Sequence, residues 1–226
     1  VNFLAMLQRL HRETLRSTAA PITVATTDVR HLRMVDALKD AWRDLQAERD
    51  WKWMRGTYAG ALTVGQQTYD GSADFSITRF ARWRPEDPNY AAQVYFGTTN
   101  SAIDITQWNL DQFRHEFIYR QMGATMPIAW SIDEEQRLLI GPAPSAAYTI
   151  RLDYWREPFE LGSLTTDPNE DEPDMPERHH MLLVWSALRQ VAKSDASPEI
   201  LARADEGYSD MHHRLVMDQA RLPTLG

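Results

Sequence analysis

The chain has 226 residues, 43% of them hydrophobic and 25% charged, with a formal net charge of −8 and no cysteine. These proportions are those of an ordinary globular protein, long enough for one large domain or two small ones. The missing thiols exclude disulfides, thiolate metal sites and cysteine nucleophiles, and the acidic balance argues against a protein whose main work is gripping phosphate.

Residues 2–17 place Phe3, Leu7, Leu10 and Thr14 on one helical stripe with Asn2 as N-cap. Arg9, His11, Arg12 and Glu13 interrupt the apolar residues here, so no signal-peptide pattern is expected. No run in the sequence reaches the 18 or so apolar residues of a membrane helix, and no membrane association is expected. "STAAPITVATTD" reads as a loop broken by Pro21. Asp28 then caps a second helix over 29–49, with Leu32, Val35, Leu38, Trp42 and Leu45 as its stripe.

From residue 57 the pattern turns β-rich. "TYAGALTV" puts Tyr58, Leu62 and Val64 on one side, Gly65 turns, and "QTY" returns. "FSITRFARW" and "AQVYFG" are further strands, separated by the loop "RPEDPNY". A helix is predicted over 106–120 with Leu110, Phe113 and Phe117 inward. A three-strand meander follows. "PIAWSI" alternates at Ile128, Trp130 and Ile132, "RLLI" returns, and "AYTIRLDYW" alternates with Tyr148, Ile150, Leu152 and Tyr154 on one face.

The acidic, proline-punctuated "TTDPNEDEPDMPE" reads as a solvated linker. It leads into a helix over 176–194 in which Asp174 and Glu177 have capping-box spacing and Met181, Val184, Trp185, Leu188 and Val191 form the stripe. After "SDASPE", a last helix over 198–220 carries Leu201, Ala204, Tyr208, Met211 and Leu215, and "RLPTLG" is a tail.

The expected fold is therefore α+β: a helical bundle made from the N-terminal (1–50) and C-terminal (175–220) helices, with an antiparallel β-rich domain (51–160) inserted. An acidic linker (161–174) and a tail (221–226) complete it. In "AWRDLQAERDWKWMRG", Trp42 is a core residue of its helix, while Trp51 and Trp53 fall where the bundle hands over to the sheet. A large ring with one polar N–H suits such a seam.

Catalytic signatures are missing. There is no phosphate loop, no dinucleotide turn, no HExxH or G-x-S-x-G, and no EF-hand spacing. His179-His180 and His212-His213 are adjacent pairs whose side chains diverge by about 100° on a helix, so neither pair converges on a metal by itself. The run Asp167, Glu170, Asp171, Glu172, Asp174 and Glu177 lacks the turned spacing of a calcium loop. Trp83, Tyr90, Tyr95, Trp108 and Trp155 are candidates for stacking a sugar or base or for core filling, with Trp108 standing off its helix's stripe. Carboxylate pairs of a hydrolase need not be near in sequence, and nothing points to one. No cofactor, metal or catalytic residue is assigned.

Three stretches in order carry a resemblance. The first is "VDALKDAWRDLQ" followed by "DWKWM", with Ala41, Trp42, Asp50, Trp51, Trp53 and Met54. The second, after the "TVGQQTY" turn, is "LLIGPAPSAAYTIRLDYWREP", with Gly141, Pro142, Pro144, Tyr148, Tyr154 and Pro158. The third is "PDMPERHHMLLVWSAL", with Pro173, Asp174, Pro176, Glu177, Arg178 and His179. Together they resemble the head–tail adaptor, or connector, proteins of tailed bacteriophages, over nearly the whole sequence.

The resemblance implies a structural virion protein and no enzyme. It implies a ring, typically of twelve copies, beneath the portal, lengthening the channel through which double-stranded DNA passes without specific binding. The ring offers a docking surface to the tail or its nozzle, and the protein is found in the host cytoplasm during assembly. It also places a partner contact at the C-terminal tail, Arg221, Leu222, Pro223, Thr224 and Leu225. The competing expectation is a non-catalytic module that binds a glycan or peptide through the β-rich domain and Trp108.

Overall fold

The computed structural model describes residues 1–14, 19–84, 92–96, 102–120, 122–163, 166–195 and 197–219. Among these residues the fold is α+β, with five α-helices and one curled mixed sheet. The protein divides into two compact units, Val1–Trp53 with Pro158–Gly226, and Met54–Glu157.

The first unit is built on four helices: α1 (Phe3–Thr14), α2 (Val29–Glu48), and two later ones, Met181–Ser194 and Pro198–Gln219, here called α4 and α5. Each early helix starts where a short polar residue offers an acceptor. The Asn2 side chain takes the Ala5 N–H at 3.0 Å. The Asp28 carboxylate takes the N–H groups of Arg30 and His31 at 2.8 and 3.1 Å. These bonds to His31 and Arg30 hold the Asp28 carboxyl below its ordinary range, because they favour the charged form.

Helix α4 has the broadest apolar surface, burying Leu182, Leu183, Val184, Ala187, Leu188, Val191 and Ala192. It packs against α1, α2 and α5, and that is why residues on more than one stripe are buried. Where α4 meets α5, Trp185 lies against Gly207; a Cβ on Gly207 would come within 2.7 Å of the indole. Gly207 is therefore a close-packing position inside a helix. Beside it Arg189 lies over the Tyr208 ring at 4.4 Å and pairs with Asp205 at 2.6 Å.

The acidic run has a tighter place than a solvated linker. Asp171 is fully buried and accepts the Gly162 N–H at 2.7 Å, and its carbonyl accepts the Phe3 N–H at 2.8 Å. Asn169 accepts the Val24 N–H at 2.8 Å. The Glu170 carboxylate accepts from the Asn2 amide at 3.1 Å, which sets a negative charge at the positive end of the α1 backbone dipole. The expected capping box does not form: 177–179 is a 3-10 turn whose start has no hydrogen bond from a capping residue's side group, and α4 starts only at Met181.

The second unit is the sheet. Its strands are β1 (Arg55–Ala61), β2 (Thr68–Tyr69), β3 (Phe80–Trp83), β4 (Ala92–Phe96), β5 (Ala102–Gln107), β6 (Ala129–Ile132), β7 (Leu138–Gly141) and β8 (Tyr148–Arg156). Between β5 and β6 lie α3 (Leu110–Phe113) and a π-helical turn, Arg114–Tyr119. The order is β1-β8-β4-β5-β6-β7-β2, with β3 also on β8. All pairs are antiparallel except β5–β6, which a helical crossover separates.

β8 is the spine. One edge runs along β1 from Arg55↔Trp155 to Ala61↔Thr149, and the other takes β3 and β4. The two outermost strands, β1 and β2, are only a few residues apart in sequence, so the sheet must curl. Leu62, Tyr69, Trp83, Val94, Ile105, Trp130, Ile140 and Ile150 then share one core. A second, smaller core gathers Phe113, Phe117, Ala129 and Leu139 on the other face of β6 and β7.

Several sequence expectations are corrected. Residues 106–120 are not one helix: β5 runs to Gln107, and Asn109 caps α3 by accepting the Asp111 N–H at 3.0 Å. The meander is broken, because β7 gives its second edge to β2 and β8 pairs elsewhere. Likewise β1 and β2 do not form a hairpin with each other. Val64 and Ile128, expected inward, are 59% and 53% exposed, and Leu32 is 38% exposed, while Met34 is buried in its place. Covered on both faces, β6 has no polar side: Ala129, Trp130 and Ser131 are all buried. On β8 the inward alternation holds at Tyr148, Ile150 and Leu152, then Trp155 is buried on the opposite face.

Candidate functional site

Trp42 and Trp51 are fully buried within the first unit. Trp42 meets the Phe159 ring edge-on at 5.5 Å. Next to it Gln46, itself buried, acts like a strand: its amide donates to the Phe159 carbonyl at 2.9 Å and accepts the Phe159 N–H at 3.0 Å. Trp51 stacks on Trp53 with centroids 4.7 Å apart and rings 12° from parallel, and its indole N–H donates to the Leu45 carbonyl. Leu45 lies in the last turn of α2, whose carbonyls have no intrahelical partner. The indole thus caps the C-terminal end of α2.

Helix α5 ends in a second anchor, at the place from which the tail departs. The Asp218 carboxylate pairs with Arg178 at 2.6 Å and lies 3.3 Å from the His179 ring nitrogen, and Lys52 donates to the Asp218 carbonyl at 3.2 Å. Cations at a helix C-terminus oppose its negative end. The Arg178 bond, helped by Gln219 and His179, holds the Asp218 carboxyl down at about 2. A depressed carboxyl stabilises the folded form above its unfolded pKa, and that contribution is lost as pH falls from about 4 through about 2. Carbon-detected NMR titration of Asp218 is expected to give a midpoint near 2, moving toward the ordinary carboxylate range in Arg178→Ala. An unmoved midpoint in the variant would refute the anchor.

The tail residues Arg221, Leu222, Pro223, Thr224 and Leu225 lie outside the described residues, as do Tyr90 and most of the "RPEDPNY" loop. Of Tyr95 only the backbone on β4 is described. Trp83 and Trp155 are buried in the second unit.

Trp108 stands in the turn between β5 and α3. Its N–H donates to the Trp130 carbonyl at 2.9 Å, the Ser131 hydroxyl donates to its carbonyl at 3.0 Å, and its ring rests on Phe117 at 5.3 Å. Half-buried, it separates two clefts. One, of 640 Å³, is lined by Thr106, Asp111, Gln112, His115 and Glu116; the other, of 340 Å³, by Arg82, Ser131, Asp133 and Gln136. An apolar ring flanked by amides, hydroxyls and carboxylates is suited to contact with a polar partner surface.

The histidine pairs have separate employment. The His180 ring is held between the carbonyls of Val1 and Met175 at 3.0 and 2.9 Å. His212 pairs with Glu48 at 2.9 Å and stacks on Tyr208 at 5.3 Å. Burial pushes the Glu48 carboxyl up, but the bonds from His212 and Arg49 outweigh it and leave it below its ordinary range. Among the described residues, no three His, Cys, Asp or Glu side chains converge as a metal cage, and no helix is long and apolar enough to cross a membrane.

The sequence matches the family described as SU10 adaptor protein over residues 1–223, nearly its full length. The protein belongs to that family and is a structural adaptor of a bacteriophage particle, placed in the virion in contact with other head or tail proteins. No curated protein matches it.

Missed by sequence reasoning were the Trp51 cap, the Gln46–Phe159 bridge and the Asp218 anchor. The only signals available were a tryptophan shortly after a helix end and a Lys52, Arg178 and Asp218 triad spread over the sequence.

Proposed function

We propose that this protein is the head–tail adaptor of its particle: a non-enzymatic subunit that forms a ring, typically of twelve copies, under the portal. The ring extends the DNA channel and docks the tail or its nozzle. In this reading the helices of both termini make one bundle from which the β unit is inserted, and that bundle-plus-lobe is the repeating block. The observation that carries the reading is the family match over residues 1–223.

Physical chemistry supports it. A closed ring needs heterologous contacts, one face of a copy against a different face of the next. Each copy brings a formal charge of −8, so DNA slides past walls that do not hold its phosphates, with repulsion confined to roughly 8 Å at physiological salt. The portal contact is assigned to the tail residues Arg221 to Leu225, which follow the anchored end of α5 in sequence. Trp108 is assigned to a second partner contact. Assembly takes place in the host cytoplasm before the particle is complete.

The test is complementation. Phage lacking this gene should yield DNA-filled heads without joined tails, and the full protein supplied in trans should restore them. A version ending at Gln219 should fold, keep the Asp218 anchor, and fail to load onto heads; Trp108→Ala should load and join tails poorly. Normal tailed particles without the gene would sink the adaptor reading, and normal loading of the shortened protein would sink the tail assignment.

A further inference from the structure

In a sequence one-quarter charged, residues 56–69, 122–132 and 138–150 contain no Asp, Glu, Lys or Arg. The fold brings these three stretches together. The Gly65 N–H donates to the Pro144 carbonyl at 2.8 Å, Thr125 N–H to Ala143 at 2.9 Å, Ser145 N–H to Thr125 at 3.0 Å, and Ile128 N–H to Gly141 at 2.9 Å. Gln67 reaches the Phe117 carbonyl at 3.5 Å, which ties in the π-helical turn. On these joined segments large apolar side chains face water: Val64 59%, Tyr119 72%, Met122 44%, Ile128 53% and Ile118 36% exposed. The nearest charges on the turn are already matched, Arg120 with Glu116 at 2.8 Å and Arg114 with Glu134 at 2.7 Å.

Monomeric proteins seldom leave such apolar groups together without a use, and aromatic and methionine side chains with charge depletion are the composition of an interface core. We infer that this end of the β unit is a docking surface for a different protein of the particle, one presenting an uncharged apolar face. The inference rests on the adaptor reading and names the chemistry of one of its contacts. Charge matching selects the occupant. A charged face would be desolvated here with no counter-charge to meet it.

A second copy offers no matching face among the described residues. Its other exposed large apolar side chains among those residues, Ile22, Val29, Leu32, Ile103 and Met217, lie in stretches that carry charge, with Asp28, Arg30, Arg33, Asp104 and Asp218 close by in sequence. Patch on identical patch would close a two-fold pair and leave a ring unmade. A lipid surface is disfavoured because anionic headgroups recruit basic rims, while this rim is neutralised and the protein is acidic overall.

The experiment uses assembled particles in which Tyr119 is replaced by the photo-crosslinker benzoylphenylalanine, a change at an exposed ring that leaves the fold intact. Irradiation should join this protein to a peptide of a different virion protein. The yield should be the same within about twofold at about 0.1 M and about 1 M salt, because an uncharged contact is not screened. The double variant Tyr119→Asp, Ile128→Asp, checked for native circular dichroism, should lower recovery of that partner in particles at least tenfold. An adduct to a second copy, an adduct to lipid, no adduct, a steep salt dependence or undiminished recovery in the double variant would each overturn the inference. Absence of this protein from purified particles would sink the adaptor reading itself, a result distinct from all of these.

Discussion

Trp51→Ala is expected to destabilise the first unit by about 3–5 kcal/mol in urea denaturation, the range for emptying a buried tryptophan site. Two losses combine. The cavity strips Trp53 of the ring it stacks on, and the Leu45 carbonyl at the end of α2 loses the indole N–H that caps it. Trp51→Phe separates them. It keeps an apolar ring in the stack and removes the N–H, so its cost should be about 1–3 kcal/mol, that of a buried acceptor left unpaired. Should the Phe variant be as stable as the parent, the capping account of this tryptophan is wrong, whatever the Ala variant does.

Gly207→Ala sets helix propensity against packing. Within an exposed helix the change would gain about 1 kcal/mol. Here the new methyl would press on the Trp185 indole, and forcing one extra carbon into a packed contact costs about 1–3 kcal/mol. A net destabilisation is expected, read as a lower melting temperature by about 2–4 °C for each kcal/mol at this length. In a Trp185→Ala background the sign should reverse, because the propensity gain remains and the obstacle is gone. A Gly207→Ala change that stabilises both backgrounds would show that α4 and α5 do not approach closely at this point.

Helices α1, α2 and α5 were legible because their signals are local. Asp28 as N-cap and the Val35, Leu38, Trp42, Leu45 spacing place α2 within a residue of its observed end, and Pro198 opens α5 as expected. Strand existence was also partly legible: "RLLI" and "AYTIRLDYW" are β7 and β8. Strand partnership was not, since period-2 patterning says which face is buried and nothing about which neighbour is hydrogen-bonded. β5 was hidden for a related reason: Ile103 and Ile105 alternate over only a few residues, directly before a stretch with helical spacing.

The contact surfaces divide in the same way. Residue identity and order by themselves set the net charge, the lack of thiol chemistry and the succession of motifs that resembles a phage adaptor, because none of these depends on the path of the backbone. Whether the uncharged stretches meet, whether Trp51 caps α2, and which carboxylate receives Arg178 depend on groups far apart in sequence or on the path of the backbone between them. Hydrogen bonds and burial act over a few ångströms in space, with no regard for separation in sequence, and so only the folded molecule decided them.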